Sequence, residues 1–526
     1  MVMKNGGLIC ALLATLALAG CGGQNSPTAT MVKSTARGTL AVDPPLRVAS
    51  LSASAFATEL GATASGAQLL QLAGTPACGV DFYYMKYWTV DPTGQPALVS
   101  GALMVPTGSA AQCSGARPVV LYGHGTTTAQ TYNIADISDT SNPANTESAM
   151  IAAVFAAQGY IVVAPNYEGY DISNLGYHPY VDGAVNAEDM MDALTAARAA
   201  LPRSFTPNTT DSGALYVTGY SEGGYVAMAT VKALQAAGDT VTASAPASGP
   251  YALEAFGDSI FFGQVDIGST VFAPLVTTSY QKAYGNVYQQ TSDVYSSTYA
   301  SGIDTLLPNA TPLTTLFQDG KLPEAALFDS TTPVTGTALD QLLAVPTSPP
   351  YTPEQAALFD AGFGNPSLIT NTYREAYAVD AYTHPDQAAM TLIGGGTLTS
   401  SDVALAAAPA VGLRQDFKLN DMRTGGWAPH EPMLMCGGDQ DPTVFFEVNT
   451  GVMAAEWSSL VSASLVQVLD LSGSPSGAFA PLQSAFQSTY QALVSAQGAS
   501  TAIQSYHATE APFCMVAARD FFAQVP

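Results

Sequence analysis

Charged side chains are scarce in this 526-residue chain, because Asp, Glu, Lys and Arg together make up only 11% of it. Ordinary soluble domains have about a quarter. Basic residues are the rarest, with 16 Lys and Arg against 41 Asp and Glu, which gives a net charge of −25. Such an acidic surface repels phosphate backbones and anionic lipid, which argues against nucleic-acid binding. It also favours neutral substrates over anionic ones.

The N-terminal apolar run, Leu8 to Ala19, is too short to span a bilayer comfortably. With Lys4 before it and small residues after it, the run predicts an export signal over residues 1–20. Leu18-Ala19-Gly20-Cys21 resembles the bacterial lipobox, in which the Cys is acylated and becomes the mature N-terminus. An ordinary cleaved signal with an incidental Cys is the alternative.

We therefore expect a lipid anchor at Cys21 and a flexible tether over residues 21–45, which are rich in Gly, Ser, Thr and Pro. Gly22 is not the Asp associated with inner-membrane retention, so the outer membrane or the cell surface is the expected location. Contact with the membrane is expected through this anchor alone.

Cysteine is rare as well. Cys10 belongs to the signal and Cys21 to the anchor, which leaves four cysteines. In an oxidising compartment this even number predicts two disulfides, with three pairings possible. No two of the four are close in sequence, so a metal site is disfavoured. We expect Cys78 to pair with Cys113 and Cys436 to pair with Cys514, because each pair brackets segments that the fold should bring together.

Residues 217–224, Val-Thr-Gly-Tyr-Ser-Glu-Gly-Gly, form the most informative motif. A β-rich approach precedes them and a helix of small residues follows, which is the strand–turn–helix setting of a Gly-x-Ser-x-Gly nucleophile turn. The turn is so tight that Gly219 and Gly223 must lack side chains, and Ser221 is held in a strained, exposed position. A serine hydroxyl is a weak nucleophile, so a base must lie beside it.

Strands alternate with helices along both ends of the chain, which predicts an α/β fold with a mostly parallel sheet covered on both faces. The predicted strands are Tyr83–Thr89, Ala97–Val105, Arg117–Tyr122, Tyr160–Ala164, Ala214–Thr218, Val241–Ala245, Pro432–Cys436 and Ser462–Leu471. The predicted helices are Ala149–Gln158, Asn186–Ala200, Tyr225–Ala237, Pro353–Ala361, Pro481–Ala496 and Ala511–Gln524.

The alternation stops for about 180 residues in the middle of the chain. We therefore predict a core in two parts, residues 46–250 and 428–526, with a large, mainly helical cap over residues 251–427. A separate domain unrelated to the site is the alternative.

Four segments together resemble the secretory lipase group of α/β-hydrolases: Asn166–Tyr170, Gly176–Tyr180, the Asp189–Arg198 helix and Gly219–Gly224. The resemblance covers the core, about residues 78–250 and 428–526, and is most specific across 160–228. It implies a Ser-His-Asp hydrolase whose cap is inserted before the strand that carries the acid.

Only five histidines can supply the base. His124 lies in a turn where it would brace the loop, and His178 is expected to make a structural hydrogen bond, while His384 lies inside the predicted cap. His507 comes last, after the final strand and before the closing helix, where the α/β-hydrolase order of Ser, acid and His places the base. We therefore expect His507 to be the base, with His430 as the alternative.

The acid should follow the strand that ends at Cys436, in the loop Gly-Gly-Asp-Gln-Asp-Pro-Thr-Val. Asp441-Pro442 resembles the common Asp-Pro-x-Val ending of this loop, so Asp441 is preferred to Asp439. Its carboxylate would fix the tautomer of His507 and stabilise the imidazolium.

Two backbone donors should form the oxyanion hole. One is the N–H of Glu222, directly after the nucleophile, whose carboxylate we expect to face solvent or the cap. The other is the N–H of Thr126, in the turn after the strand that ends at Tyr122, with Thr127 as the alternate.

These residues predict a carboxylic ester hydrolase that needs no cofactor and acts on small or polymeric esters. A serine peptidase of the capped type is the second hypothesis, although no clear cap motif provides an acidic pair for a substrate amino terminus. A catalytically idle surface lipoprotein is the third, and the complete set of candidate catalytic residues argues against it.

Overall fold

A computed structural model describes residues 29–201, 208–344 and 352–525 of the protein. The predicted signal over residues 1–20, the candidate anchor Cys21 and the beginning of the predicted tether lie outside the described residues. No helix in these three ranges is both long enough and apolar enough to cross a membrane.

A nine-stranded sheet forms the centre of the molecule, in the order β11-β10-β9-β8-β6-β7-β5-β4-β3. The six strands from β11 to β7 are parallel, and β5, β4 and β3 continue the sheet as antiparallel strands. A separate antiparallel pair joins β1 to β2. The strands are β1 Thr30–Met31, β2 Val42–Asp43, β3 Leu46–Leu51, β4 Gly79–Val90, β5 Pro96–Thr107, β6 Gly115–Gly123, β7 Ile161–Pro165, β8 Thr209–Tyr220, β9 Ala243–Ala247, β10 Met433–Gly437 and β11 Val466–Asp470.

Helices cover both faces of the sheet, because parallel strands require crossover connections that run over the faces. On one face α4 packs with α5, and on the other α2, α3 and α17 pack together. The helices of the core are α1 Ala53–Gly61, α2 Ala64–Ala73, α3 Asn145–Val154, α4 Gly183–Ala200, α5 Glu222–Ala237, α14 Val452–Trp457, α15 Ala480–Gln497, α16 Ala499–Ala502 and α17 Tyr506–Phe522.

The chain between β9 and β10 is an insertion built of helices and loops, as the break in the strand–helix alternation predicts. Its helices are α6 Leu253–Phe261, α7 Ser269–Ala283, α8 Leu313–Gln318, α9 Leu339–Leu342, α10 Pro353–Ala361, α11 Asn371–Thr383, α12 Gln387–Ile393 and α13 Gly412–Asn420. Buried ion pairs join these helices. Arg414 of α13 contacts Asp258 of α6 at 2.8 Å and Asp380 of α11 at 3.1 Å.

The central strands have the near-continuous apolar sequences expected of strands buried on both faces. All five residues of β7, β9 and β10 are buried. The two predicted disulfides, Cys78–Cys113 and Cys436–Cys514, are both present. The second one attaches α17 to the end of β10, so it joins the two parts of the chain that carry the candidate acid and base.

Part of the predicted tether packs on the core instead of forming a flexible linker. Leu40 and Ala41 are buried, and β2 pairs with β1. Arg37 lies 2.9 Å from Glu188 and 3.0 Å from Asp192 of α4. The small-residue composition of this segment predicts flexibility, but its few apolar and basic side chains find partners on the sheet and on α4.

The predicted strands and helices do not include β3, α1 and α2. The sequence does carry a signal for the two helices, since each begins after a hydroxyl side chain that accepts a backbone N–H of the first turn. Ser52 accepts from Ala55 at 3.1 Å, and Thr63 accepts from Gly66 at 3.0 Å. Such N-caps are typical of helix starts.

Candidate active site

Ser221 occupies the tight turn between β8 and α5. Its backbone has φ 61° and ψ −126°, a conformation that non-glycine residues rarely adopt. Its N–H donates to Ala247 O at 3.0 Å, which fastens the turn to β9. A side chain on Gly219 would collide with Gly223 O, and one on Gly223 would collide with Gly123 O. The requirement for glycine at both positions is therefore steric.

Asp441 and His507 are brought together by the loop after β10 and the first turn of α17. His507 Nδ1 lies 2.6 Å from Asp441 Oδ2. The other carboxylate oxygen accepts the backbone N–H groups of Thr443 at 2.8 Å and Val444 at 3.2 Å. Asp441 is therefore held by its own loop and is 2% exposed.

His507 is the second residue of α17, so the predicted start of the closing helix at Ala511 is wrong. Pro512 obscures the true start, because proline is typical of the first turn of a helix. In the structure the helix begins at Tyr506 and Pro512 lies inside it.

The alternative acid and base lie elsewhere. Asp439 is exposed, and its backbone N–H donates to Asp470 Oδ1 at 3.2 Å. His430 is exposed in the segment before β10. His384 is in the cap, where Nδ1 lies 2.8 Å from Asp380. Among the described contacts it is Asp441, and not Asp439, that reaches His507.

Tyr220, the residue before the nucleophile, links the Ser221 turn to His507. The two rings are 4.8 Å apart between centroids, and the Tyr220 hydroxyl donates to His507 O at 2.5 Å. His507 Nε2 is buried without a hydrogen-bond partner in the described part of the chain. Because Nδ1 is occupied by Asp441, Nε2 is the nitrogen left to accept a proton.

The loop after β6 lies against the nucleophile. A Cβ placed on Gly125 would be 3.6 Å from the Cβ of Ser221. The first N–H groups of a helix have no acceptor within the helix, so that of Glu222 at the start of α5 is available to a ligand. The side chain of Thr126, the other predicted donor, hydrogen-bonds Tyr180 Oη at 2.9 Å. Its alternate, Thr127, accepts at its carbonyl from Tyr170 Oη at 2.7 Å.

His124 braces this loop, as the sequence suggested. Its ring is fully buried and stacks on Tyr167 with 4.0 Å between centroids. Its two nitrogens lie 2.8 Å from Gly125 O and 3.2 Å from Asn166 O. Burial lowers the pKa of His124.

The insertion holds the outer part of the same loop. Asn309 donates its backbone N–H to Thr128 O at 2.8 Å and accepts that of Gln130 at 3.0 Å. The position of the predicted oxyanion loop therefore depends on the insertion as well as on the core.

The carboxylate of Glu222 is buried, which corrects the expectation that it faces solvent or the cap. His178 Nε2 lies 2.6 Å from Glu222 Oε1, and His178 Nδ1 lies 2.9 Å from Glu168 O. Both side chains of the pair are fully buried. The pair fixes the start of α5 behind the nucleophile, so the role of Glu222 follows from tertiary packing that no local pattern could reveal.

A cavity of about 100 Å³ begins at Ser221 and extends beneath the insertion. Its wall is mostly apolar, with Phe256 and Ile260 of α6 and Phe272 and Val276 of α7 among its residues. The insertion therefore covers the nucleophile and supplies most of the apolar surface that a bound ligand would meet.

The carboxyl group of Asp266 lies in this mostly apolar wall. Asp266 is 5% exposed, and one of its oxygens has no hydrogen-bond partner in the part of the chain that is described. Its other oxygen accepts from Ser269 Oγ. Burial, and to a lesser extent the charge of Asp441, raises the pKa of Asp266 to about 8. Burial therefore favours the neutral, protonated form of this carboxyl group.

Asp441, His507 and Glu510 offer ligand atoms within 4.8 Å of one another, a spacing that would suit a metal ion. Two of these atoms already share a hydrogen bond, between His507 Nδ1 and Asp441. Asp441 thus orients the imidazole of His507, and the three groups do not all direct free lone pairs at one point. Tyr220, Glu510 and Ser248 are the neighbours that sequence reasoning missed, because their spacing carries no signature.

Residues 146–264 match the family model described as the prolyl oligopeptidase family. Comparison of the sequence with curated proteins gives no significant match. The rice cell wall degrading esterase LipA from Xanthomonas oryzae has a similar structure, with a TM-score of 0.65 and 24% sequence identity, covering 93% of this chain and 100% of that protein. A candidate hydrolase from Legionella pneumophila gives a TM-score of 0.57 at 17% identity, covering 91% of this chain and 96% of the other.

At these identities the structural likeness establishes the fold and not the substrate. The parallel sheet with helices on both faces, the strained serine turn after β8 and the helical insertion before β10 agree with that fold in this chain. The chain therefore has the α/β-hydrolase fold.

Proposed function

We propose that the protein is a serine hydrolase of carboxylic esters, with Ser221 as nucleophile, His507 as general base and Asp441 as the acid that orients the histidine. The observation that carries this proposal is the 2.6 Å contact between His507 Nδ1 and Asp441, made next to the strained turn that presents Ser221. The three residue types in this order are those of the hydrolytic triad.

The reaction proceeds through an acyl-enzyme. Ser221 Oγ attacks the ester carbonyl while His507 Nε2 takes the hydroxyl proton, and the alcohol then leaves with that proton. The backbone N–H groups of Glu222 and Thr126 stabilise the tetrahedral oxyanion. Water, activated by His507, releases the acid. Every step uses groups of this chain, and no cofactor is required.

The apolar wall beneath the insertion favours an ester over a peptide. Of the acidic side chains that line it, Glu222 is engaged by His178, and Asp266 has a pKa of about 8 because it is buried. A peptidase that recognises a free amino terminus needs ionised carboxylates, so this wall suits an acyl chain better. A cavity of 150 Å³ accommodates benzene, so about 100 Å³ suits an acyl group of roughly four carbons.

The test is a p-nitrophenyl ester series from acetyl to palmitoyl, measured on the mature protein and on Ser221→Ala. We expect kcat/KM to be highest near butyryl and to be lost in the variant. A long-chain optimum would mean that the cavity opens further in solution. Ester hydrolysis that survives Ser221→Ala would contradict the proposal.

The peptidase hypothesis is tested in parallel because the prolyl oligopeptidase model matches residues 146–264. Aminoacyl and prolyl p-nitroanilides serve as substrates. Hydrolysis of these anilides without hydrolysis of any ester would favour the peptidase.

We also propose export and anchoring through an acylated Cys21. The two disulfides support an oxidising compartment. Metabolic labelling with an alkynyl fatty acid should mark the wild-type protein and leave Cys21→Ala unmarked. Equal labelling of both would indicate that the lipid is attached elsewhere.

A further inference from the structure

Glu510 lies next to the proposed acid and base, one helical turn after His507 on α17. Its side chain is fully buried. Glu510 Oε1 lies 3.9 Å from His507 Nδ1, and a carboxyl oxygen of Glu510 lies within 4.8 Å of one of Asp441. Two buried carboxyl groups thus flank one imidazole.

The two carboxyl groups have different hydrogen-bond surroundings. Asp441 receives two backbone N–H groups and His507 Nδ1. Glu510 Oε1 contacts two hydroxyl groups, those of Tyr220 at 2.8 Å and Ser248, and lies at a longer distance, 3.9 Å, from His507 Nδ1. Its Oε2 lies against the backbone of the acid loop and has no hydrogen-bond partner among the described residues. Negative charge is therefore better stabilised on Asp441.

A count of protons around Glu510 points the same way. Three contacts join these groups, namely Tyr220 to His507 O, Tyr220 to Glu510 Oε1 and Ser248 to Glu510 Oε1, but the two hydroxyl groups supply only two protons. The Tyr220 proton is directed to His507 O at 2.5 Å. A protonated Glu510 supplies the third hydrogen. The Tyr220 hydroxyl then accepts a hydrogen bond from Glu510 and donates its own proton to His507 O.

We propose that Glu510 is a positioning residue, held as a neutral carboxylic acid, which links Tyr220 and Ser248 to the helix start that carries His507. In this form it fixes the base against the nucleophile turn and leaves the single negative charge on Asp441. The inference rests on the proposed function, because it assigns a role relative to that triad.

The environment of Glu510 agrees with a neutral form. Burial first, and the charge of Asp441 second, raise the pKa of Glu510 well above its usual range. The titratable groups that face it come from four elements and are Asp441, His507, Tyr506, Tyr220 and Tyr251. Asp441 carries the charge that opposes ionisation of Glu510 in this set.

The experiment compares Glu510→Gln, Glu510→Leu and Asp441→Asn with the wild type, recording kcat and KM for the best ester between pH 5 and pH 9. Glutamine mimics a neutral acid, so Glu510→Gln should keep kcat within about threefold. The acidic limb of its profile, which reports protonation of the base, should move by less than about 0.3 pH unit. Asp441→Asn should lose about 10⁴-fold in kcat.

Glu510→Leu removes the acceptor for Tyr220 and Ser248 and should lower kcat by about 10- to 100-fold with little change in KM, since the base is misplaced. If this variant does not fold, Tyr220→Phe beside Glu510→Gln tests the same link. A Glu510→Gln variant as impaired as Asp441→Asn, or an acidic limb lowered by about one unit, would show that Glu510 is ionised and overturn the proposal. Wild-type kcat in Glu510→Leu would overturn it as well.

A second readout separates this inference from the proposed function. The rate at which a fluorophosphonate labels Ser221 reports activation of the nucleophile without an ester substrate. If the protein hydrolyses no ester but labelling is fast in wild type and Glu510→Gln, slower in Glu510→Leu and slowest in Asp441→Asn, the ester proposal alone is refuted. Labelling that Glu510→Gln and Asp441→Asn impair equally would refute the role of Glu510 alone.

Discussion

Replacing the buried acid Asp266 by asparagine should change how the stability of the protein depends on pH. Burial raises the pKa of Asp266 from 3.8 to about 8 in the folded protein. In the unfolded chain the group titrates near its ordinary value. Between these two values the folded state binds a proton that the unfolded state has lost. The stability that this proton provides is complete below about pH 4 and is lost as the pH rises towards 8.

The magnitude follows from this difference in proton binding. Each pH unit between the two pKa values corresponds to about 1.4 kcal/mol. Asp266 therefore lowers the free energy of unfolding by about 4 kcal/mol from pH 5 to pH 8. Asp266→Asn has no proton to lose, and its amide oxygen keeps the hydrogen bond from Ser269. The stability of the variant relative to the wild type should rise by the same amount over this range.

The assay is reversible urea unfolding of both proteins at pH 5, 6, 7 and 8, followed by tryptophan fluorescence. Asp319→Asn is the matched control, because Asp319 is exposed on the insertion. Any constant offset from the new amide cancels when the pH dependence is compared. A stability difference that stays flat from pH 5 to pH 8 would mean that Asp266 is ionised in the folded state, and would refute the reasoning.

Three further predictions concern the supports of the candidate site. Gly223→Ala should abolish activity and lower soluble yield, because its Cβ would collide with Gly123 O; normal labelling by a fluorophosphonate would contradict this. Replacing both Cys436 and Cys514 by serine should lower the free energy of unfolding by about 4 kcal/mol for a loop of 78 positions, and an unchanged urea midpoint would count against it. His178→Ala should destabilise the protein by about 3 kcal/mol, because the carboxyl group of Glu222 is left buried without its partner; adding Glu222→Gln should recover part of this loss in the same urea assay.

The core of the fold could be predicted from the sequence because each of its elements has a local pattern. Strands such as β7 and β10 are continuous apolar runs, and the break in alternation after residue 250 marks the insertion. The antiparallel edge was only partly predicted. Strand β3 is short and half exposed, so its pattern is weak until β4 lies beside it.

The candidate site could be predicted from the sequence for a different reason. A serine turn requires glycines at fixed offsets, and few histidines were available to serve as base. The choice between Asp439 and Asp441 rested only on a loop motif, and the fold adds a physical reason. Asp441 turns inward because its loop donates two N–H groups to one oxygen and leaves the other for His507.

The class of fold and the nucleophile turn could be predicted from the sequence, because they depend on short-range sterics and on the order of elements along the chain. The disulfide pairs were one choice among three, and the fold brings the chosen cysteines together. The set of buried acids around the site depends on the tertiary structure. Glu222 contacts His178, which is 44 positions away in the sequence, and Glu510 contacts Tyr220, which is 290 positions away. The protonation of a carboxyl depends on burial and on neighbours in space, and neither can be read from its position in the chain.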